Sequence, residues 1–142
     1  MRFMMMIRAT PDTEAGVFDD KDAFDAMERY NQELIKAGVL LVAEGLRPSA
    51  SGARLKFSGG KVGVTDGPFA ETKELIAGFW IIQVADREQA MAWARRIPFD
   101  GGKEVELRQV YEAHDLPEEM FSKQDADREQ AWRDATQKPI TG

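Results

Sequence analysis

"IAGFWIIQVADREQAMAWARRI", Ile76 to Ile97, joins a run of aromatic and aliphatic residues to a segment that opens on an aspartate. The first part, through Ala85, reads as a strand too apolar to face water on both sides. Asp86 stands where a helix N-cap belongs, and Gln89 follows three positions on, the spacing of a capping box. The second part therefore predicts a helix. A strand that feeds a capped helix is half of a βαβ unit, and the rest of the chain is read outward from it.

Downstream, "EVELRQVY", Glu104 to Tyr111, supplies the strand that completes this unit. Upstream, "ARLKFSGGKVGVT" reads as a hairpin, with Ser58, Gly59 and Gly60 turning between Leu55/Phe57 and Val62/Val64. Further back, Phe3 to Ile7 is a short apolar run bounded by Arg2 and Arg8, the pattern of a strand buried on both faces. From Asp20 to Ala37, Ala23, Phe24, Met27, Tyr30, Leu34 and Ile35 recur at helical spacing, with Gly38 as the stop, and "VLLVAEG" forms the next strand. With the hairpin set aside, two βαβ-type units remain. That is the plan of an α+β, ferredoxin-like antiparallel sheet with both helices on one face. Its other face is left uncovered, and pairing with a second copy in a homodimer is the economical way to cover it.

The chain has 142 residues, 43% hydrophobic and 31% charged, enough for one cored domain over residues 1–111, followed by an acidic tail at 112–142 that reads as helical over 117–137. A net charge of -6 without a basic patch argues against nucleic acid. The N-terminal apolar run is too short for a signal peptide or a membrane span, so no membrane partner is expected and a cytoplasmic protein is the default. There are no cysteines, which removes thiol nucleophiles and thiolate metal sites. Met4, Met5 and Met6 read as core filler rather than soft-metal ligands. Asp19, Asp20 and Asp22 read as a capped helix start, so no metal is expected. The glycines make no dinucleotide fingerprint, no phosphate loop or nucleophile elbow is present, and no cofactor is expected. His114 reads as a surface-loop histidine, because its neighbour Asp115 points the other way in an extended segment.

What remains is a polar set near strand ends: Tyr30, Glu44, Arg47 and Asp66, with Glu71 and Lys73 around the turn "TDGPF". Converging between sheet and helices, the first four would line a ligand pocket in which Glu44 or Asp66 could act as a general acid or base. In the turn itself, Gly67 reads as a residue of unusual backbone angles, Phe69 as a core anchor, and Asp66 as the acceptor of an Asx-type turn.

"TDGPFAETKELIAGFWII", with "GVLLVAEGLRPS" and "MRFMMMIRA" flanking it, resembles the DGPF proteins of the YCII-related superfamily over residues 1 to 111. The resemblance implies a ferredoxin-like fold assembled as a dimeric α+β barrel, and a regulatory role beside an extracytoplasmic-function sigma factor. In the YCII-type branch, a histidine on the first helix and an aspartate near the end of the last helix are the suspected catalytic pair. Met27 and Ile97 stand near those positions here, so the resemblance carries over no proton-transfer dyad. Three functions follow as expectations: a homodimeric small-molecule-binding or regulatory protein, a small-substrate enzyme using Glu44 or Asp66, or an interaction module docking through its tail.

Overall fold

Side chains along the first strand point alternately to two sides of a sheet, and they meet different environments there. In the computed structural model, which describes residues 1–142, this strand is β1, Arg2–Arg8. A short helix α1 (Pro11–Ala15), helix α2 (Lys21–Lys36), β2 (Leu40–Gly45), β3 (Ala53–Ser58), β4 (Lys61–Asp66), β5 (Ile76–Gln83), α3 (Arg87–Ala94), β6 (Val105–Gln109) and α4 (Lys123–Thr136) follow. β2, β5, β1 and β6 form one sheet in that order, antiparallel throughout, while β3 and β4 form a separate ribbon. This is the ferredoxin-like order read from the sequence.

Local chemistry starts the helices where the sequence predicts. The Asp20 carboxylate accepts from the Ala23 N–H at 2.9 Å and begins α2, and Asp86 accepts from the Gln89 N–H at 2.9 Å and begins α3. The reciprocal bond differs from a capping box by one residue, since the Gln89 side chain accepts from the Ala85 N–H. At the hairpin, Gly59 and Gly60 both take positive φ, 56° and 75°, as a two-residue turn between twisted strands requires. The short helix α1 was not anticipated.

Phe3 and Met5 face α2 and α3, where they join Tyr30, Leu34, Leu40, Trp80, Ile82, Ala90 and Ile97 in one buried cluster. Met4 and Met6 face the opposite side. There the sheet register builds two rows, Glu44–Phe79–Met6–Glu106 and Val42–Ile81–Met4–Arg108. The four central side chains of these rows are half-buried, and none belongs to the core. The expectation of a first strand buried on both faces is thus corrected: one face is core and the other is open.

The tail helix begins at Lys123 rather than near residue 117, and it is fastened to its own domain. The Arg2 guanidinium, 8% exposed, donates to both carboxylate oxygens of Glu112 at 3.0 and 3.1 Å and to the Gln137 side chain at 3.1 Å. Beyond α4, the Ile140 N–H donates to the Leu40 carbonyl at 2.7 Å. No helix is long and apolar enough to cross a membrane.

Arg2→Ala leaves Glu112 without its guanidinium and Gln137 with only the longer bond from Arg133, at 3.3 Å, so it should cost about 2–4 kcal/mol in urea unfolding. A loss below about 0.5 kcal/mol, the usual surface value, would mean that the tail is not held this way.

Candidate functional site

α2 presents Phe24, Met27, Glu28 and Asn31 along one line at helical spacing, and these form one wall of a cavity of about 240 Å³. The sheet supplies the floor with Ile7, Ala43, Gly45 and Trp80. The space exists because side chains are missing there: Gly45 lies directly across from Gly78 in the β2–β5 pair, on the helix-facing side with Ile7. A Cβ at Gly78 would come 2.7 Å from the Glu44 carbonyl oxygen, so a side chain there would force the two strands apart. At Gly45 a Cβ would meet nothing within 4 Å.

Trp80 is 3% exposed, packs edge-on against Tyr30 with ring centres 5.7 Å apart, and donates its indole N–H to the Asn31 side-chain oxygen at 2.8 Å. Only the amide oxygen can accept that bond, so the indole sets the orientation of the amide. The Asn31 NH2 group has no partner in the chain. Glu28 accepts from the Gln32 side chain at 2.8 Å through one oxygen. No Lys, Arg or His lines the cavity.

Of the four residues expected to converge, only Glu44 borders this space. Its main chain lies at the cavity edge, while its register opposite Phe79 assigns its exposed side chain to the open face of the sheet. Tyr30 is a core residue, 4% exposed, that donates its hydroxyl to the Trp93 carbonyl at 2.9 Å. Burial pushes the phenol well above its ordinary value; Arg96 pulls it down and Glu33 adds to the rise, both less strongly. It stays protonated and props Trp80 from behind. Arg47 and Asp66 are exposed, and neither side chain forms a hydrogen bond or ion pair; Glu44 and Arg47 do not pair. Ile97 is buried in the core, whereas Met27, at the position the resemblance gives to a histidine, does line the cavity. His114 is half-exposed, with its partner in Asp127 at 2.9 Å rather than in Asp115.

The turn at residues 66–69 is a folding device with parts other than those expected. Its Asp66 side chain accepts nothing. Instead Ser49 Oγ accepts from the Phe69 N–H at 3.0 Å, and Ser49 is in turn gripped by Glu14 of α1, which accepts from its N–H at 3.1 Å and from its hydroxyl. Gly67, which precedes Pro68 through a cis peptide bond, is required by proximity rather than by its φ: a Cβ there would lie 1.8 Å from the Ser49 carbonyl oxygen. Phe69 is not in the core. It lies half-buried beneath the Arg54 guanidinium, 4.0 Å from its ring centre, and Arg54 also pairs with Glu71 at 3.3 Å. The missed supports had sequence signals: Thr10 before Pro11, with Thr13 at capping-box spacing and Gly16 as the stop, marks α1.

A family model described as the YCII-related domain matches residues 1–114. An uncharacterized protein of Rhizobium meliloti (strain 1021) is 33% identical over 103 residues, covering 70% of this chain and 83% of that one. Among solved structures, 5-chloro-2-hydroxyhydroquinone dehydrochlorinase from Burkholderia phenoliruptrix AC1100, in complex with 2,5-dihydroxybenzoquinone, is similar at 15% identity over 80% of this chain and 98% of that one, with a TM-score of 0.39.

Because the Asp66 side chain holds nothing, Asp66→Ala should change stability by less than about 0.5 kcal/mol. Ser49→Ala strands the Phe69 N–H and removes the hydroxyl donor from one Glu14 oxygen, leaving Glu14 its bond from the residue 49 N–H, and should cost about 1–2 kcal/mol in the same denaturation assay. The reverse order would restore the Asx-type turn.

Proposed function

The chain belongs to the YCII-related family, and from that premise we propose that it is a homodimeric protein that binds a small molecule between the first half of α2 and the glycine-floored part of its sheet. The observation that carries this is the cavity itself: aromatic surface from Phe24 and Trp80, an oriented amide at Asn31 with both donors free, and space left by Gly45 and Gly78. A void of this order accepts a single substituted ring. Glu28 and the lack of any basic residue select against an anionic ligand, whose desolvation no cation would offset. A neutral or cationic ring carrying a hydrogen-bond acceptor for Asn31 fits best.

Binding is favoured over turnover. Around the cavity stand a thioether, an amide, rings and one carboxylate already engaged by Gln32, and neither Glu44 nor Asp66 offers its side chain there. Binding through the pocket is also favoured over docking of the tail on a sigma factor, because α4 and the segment after it are fastened to Arg2 and Leu40. For the dimer, the support is the open sheet face, an apolar centre of Met4, Met6, Phe79 and Ile81 with Glu44 on one edge strand and Glu106 and Arg108 on the other.

Gly45→Leu fills the cavity where the fold has room. Phenol and 4-hydroxybenzylamine, each with a hydroxyl oxygen that can accept from Asn31, should raise the melting temperature of the unmodified protein and quench its tryptophan fluorescence, benzoate should do neither, and Gly45→Leu should abolish both effects while remaining as stable. Equal responses in Gly45→Leu would remove the cavity from consideration. For the assembly, sedimentation should give twice 15.9 kDa, and Ile81→Glu should give the monomer with unchanged helix content. A dimer unaffected by that change would not use the open face.

A further inference from the structure

Two polar side chains of α2 line the cavity, and they differ in kind. Asn31 is half-buried, and its amide oxygen is held by the Trp80 indole, which leaves the N–H2 group as the end without a partner. Glu28, one helical turn before it, is exposed and stands at the mouth. One of its carboxylate oxygens accepts from Gln32 at 2.8 Å, and the other accepts from nothing in the chain. Positions 28 and 31 share one face of the helix, with Cβ atoms about 5–6 Å apart. Around them the lining is apolar, from Ile7, Phe24, Met27 and the Trp80 ring.

The charge around the mouth has one sign. Phe24 also borders a second hollow, lined with it by Phe18, Asp19, Asp20, Lys21 and Asp25. Lys21, the one base among them, is engaged with both oxygens of Asp25 at 3.0 and 2.7 Å, so Asp19, Asp20 and Glu28 are left without an ion pair. Carboxylates in excess on a surface concentrate cations near it and repel anions.

Resting on the cavity reading above, we propose that the ligand is an arylalkylammonium ion held in one direction. Its ring lies against Trp80, an acceptor on the ring takes a hydrogen bond from Asn31, and the ammonium group pairs at the mouth with the free oxygen of Glu28. The reverse orientation fails at both ends. An ammonium turned inward would meet the N–H donors of Asn31 and exchange water for an apolar wall. A carbonyl or ether oxygen turned outward would meet another acceptor in Glu28. Glu28 is thereby the residue that selects a cation over a neutral ring. The competing ligand is a neutral ring for which Glu28 is only part of a solvated helix face, and the test separates the two.

Titration of the full chain by tryptophan fluorescence compares 4-hydroxybenzylamine with 4-hydroxybenzyl alcohol, two rings that differ in a charged or neutral arm. The amine should bind about threefold to fivefold more tightly, the scale of a solvent-exposed ion pair. That advantage should vanish in Glu28→Gln, whose amide oxygen can still accept from Gln32, and should shrink in high salt. The inner end is read with 4-methoxybenzylamine and 4-ethylbenzylamine, which differ by one ether oxygen that can only accept. Asn31→Asp keeps the acceptor for the Trp80 indole and removes the donors, so the ratio of the two affinities should shift toward the ethyl compound by about threefold or more, the worth of one hydrogen bond. An absent advantage for the amine, or one that persists in Glu28→Gln, would overturn the cationic ligand and leave a neutral ring in the cavity. An unchanged ratio in Asn31→Asp would overturn the bond at the inner end and the orientation with it. Equal responses of all four compounds in Gly45→Leu would remove the cavity itself.

Discussion

The pairing of β1 with β5 on one side and β6 on the other is the constraint from which the rest of the structure follows. It holds an apolar strand between two neighbours in the sheet and gives its side chains two opposite destinations. Phe3 and Met5 become the floor on which α2 and α3 pack, while Met4 and Met6 become the centre of an uncovered face. A shift of one residue in this register would exchange the two sets and destroy both surfaces at once. Arg2, at the start of the same strand, ties down the tail, so β1 also decides where α4 sits.

The cavity and the turn are two consequences of backbone proximity. At Gly45 and Gly78 the β2–β5 pair carries no side chains beneath α2, and the helix spans a gap instead of a packed layer. At Gly67 the chain passes so near the Ser49 carbonyl that no side chain fits. Both glycines at close approach, 67 and 78, hold neighbouring strands and loops at distances that a larger residue would open. The first serves construction of the turn, and the second leaves the gap beneath α2 open.

The strands, the two core helices and their order were legible because each is written locally: alternation, helical spacing, an aspartate cap, a glycine stop. The site was less legible because it depends on what lies opposite. Phe24 shares the apolar stripe of α2 with Leu34, yet Leu34 is fully buried and Phe24 is 66% exposed, since the sheet beneath it has glycines. Periodicity names a face and does not say what covers it. The position of Tyr30 on the helix suggests a ligand contact, but its hydroxyl is used up on the Trp93 carbonyl within the core. Asn31 carried no signal in the sequence; its value comes from the Trp80 indole, far away along the chain. Asp66 has the local chemistry to hold the turn, as aspartate does in Asx-type turns. The group that does hold it, Ser49, is supplied from another loop and braced by a third.

The elaborate turn and the bare ribbon are parts of one device. β4 runs directly into the turn, and there the Gly67 N–H donates to the Gly52 carbonyl at 2.9 Å, beside the point where β3 begins. Arg54, on β3, closes over Phe69 and reaches Glu71. Both strands are therefore clamped at their base by groups that belong to the turn, to Ser49 and to α1. Every residue of both strands is exposed, and a two-stranded hairpin alone in water is marginally stable, so these bonds at the root offset part of the entropy lost in ordering it. The most conspicuous motif of the sequence is, on this reading, the mount for the element next to it.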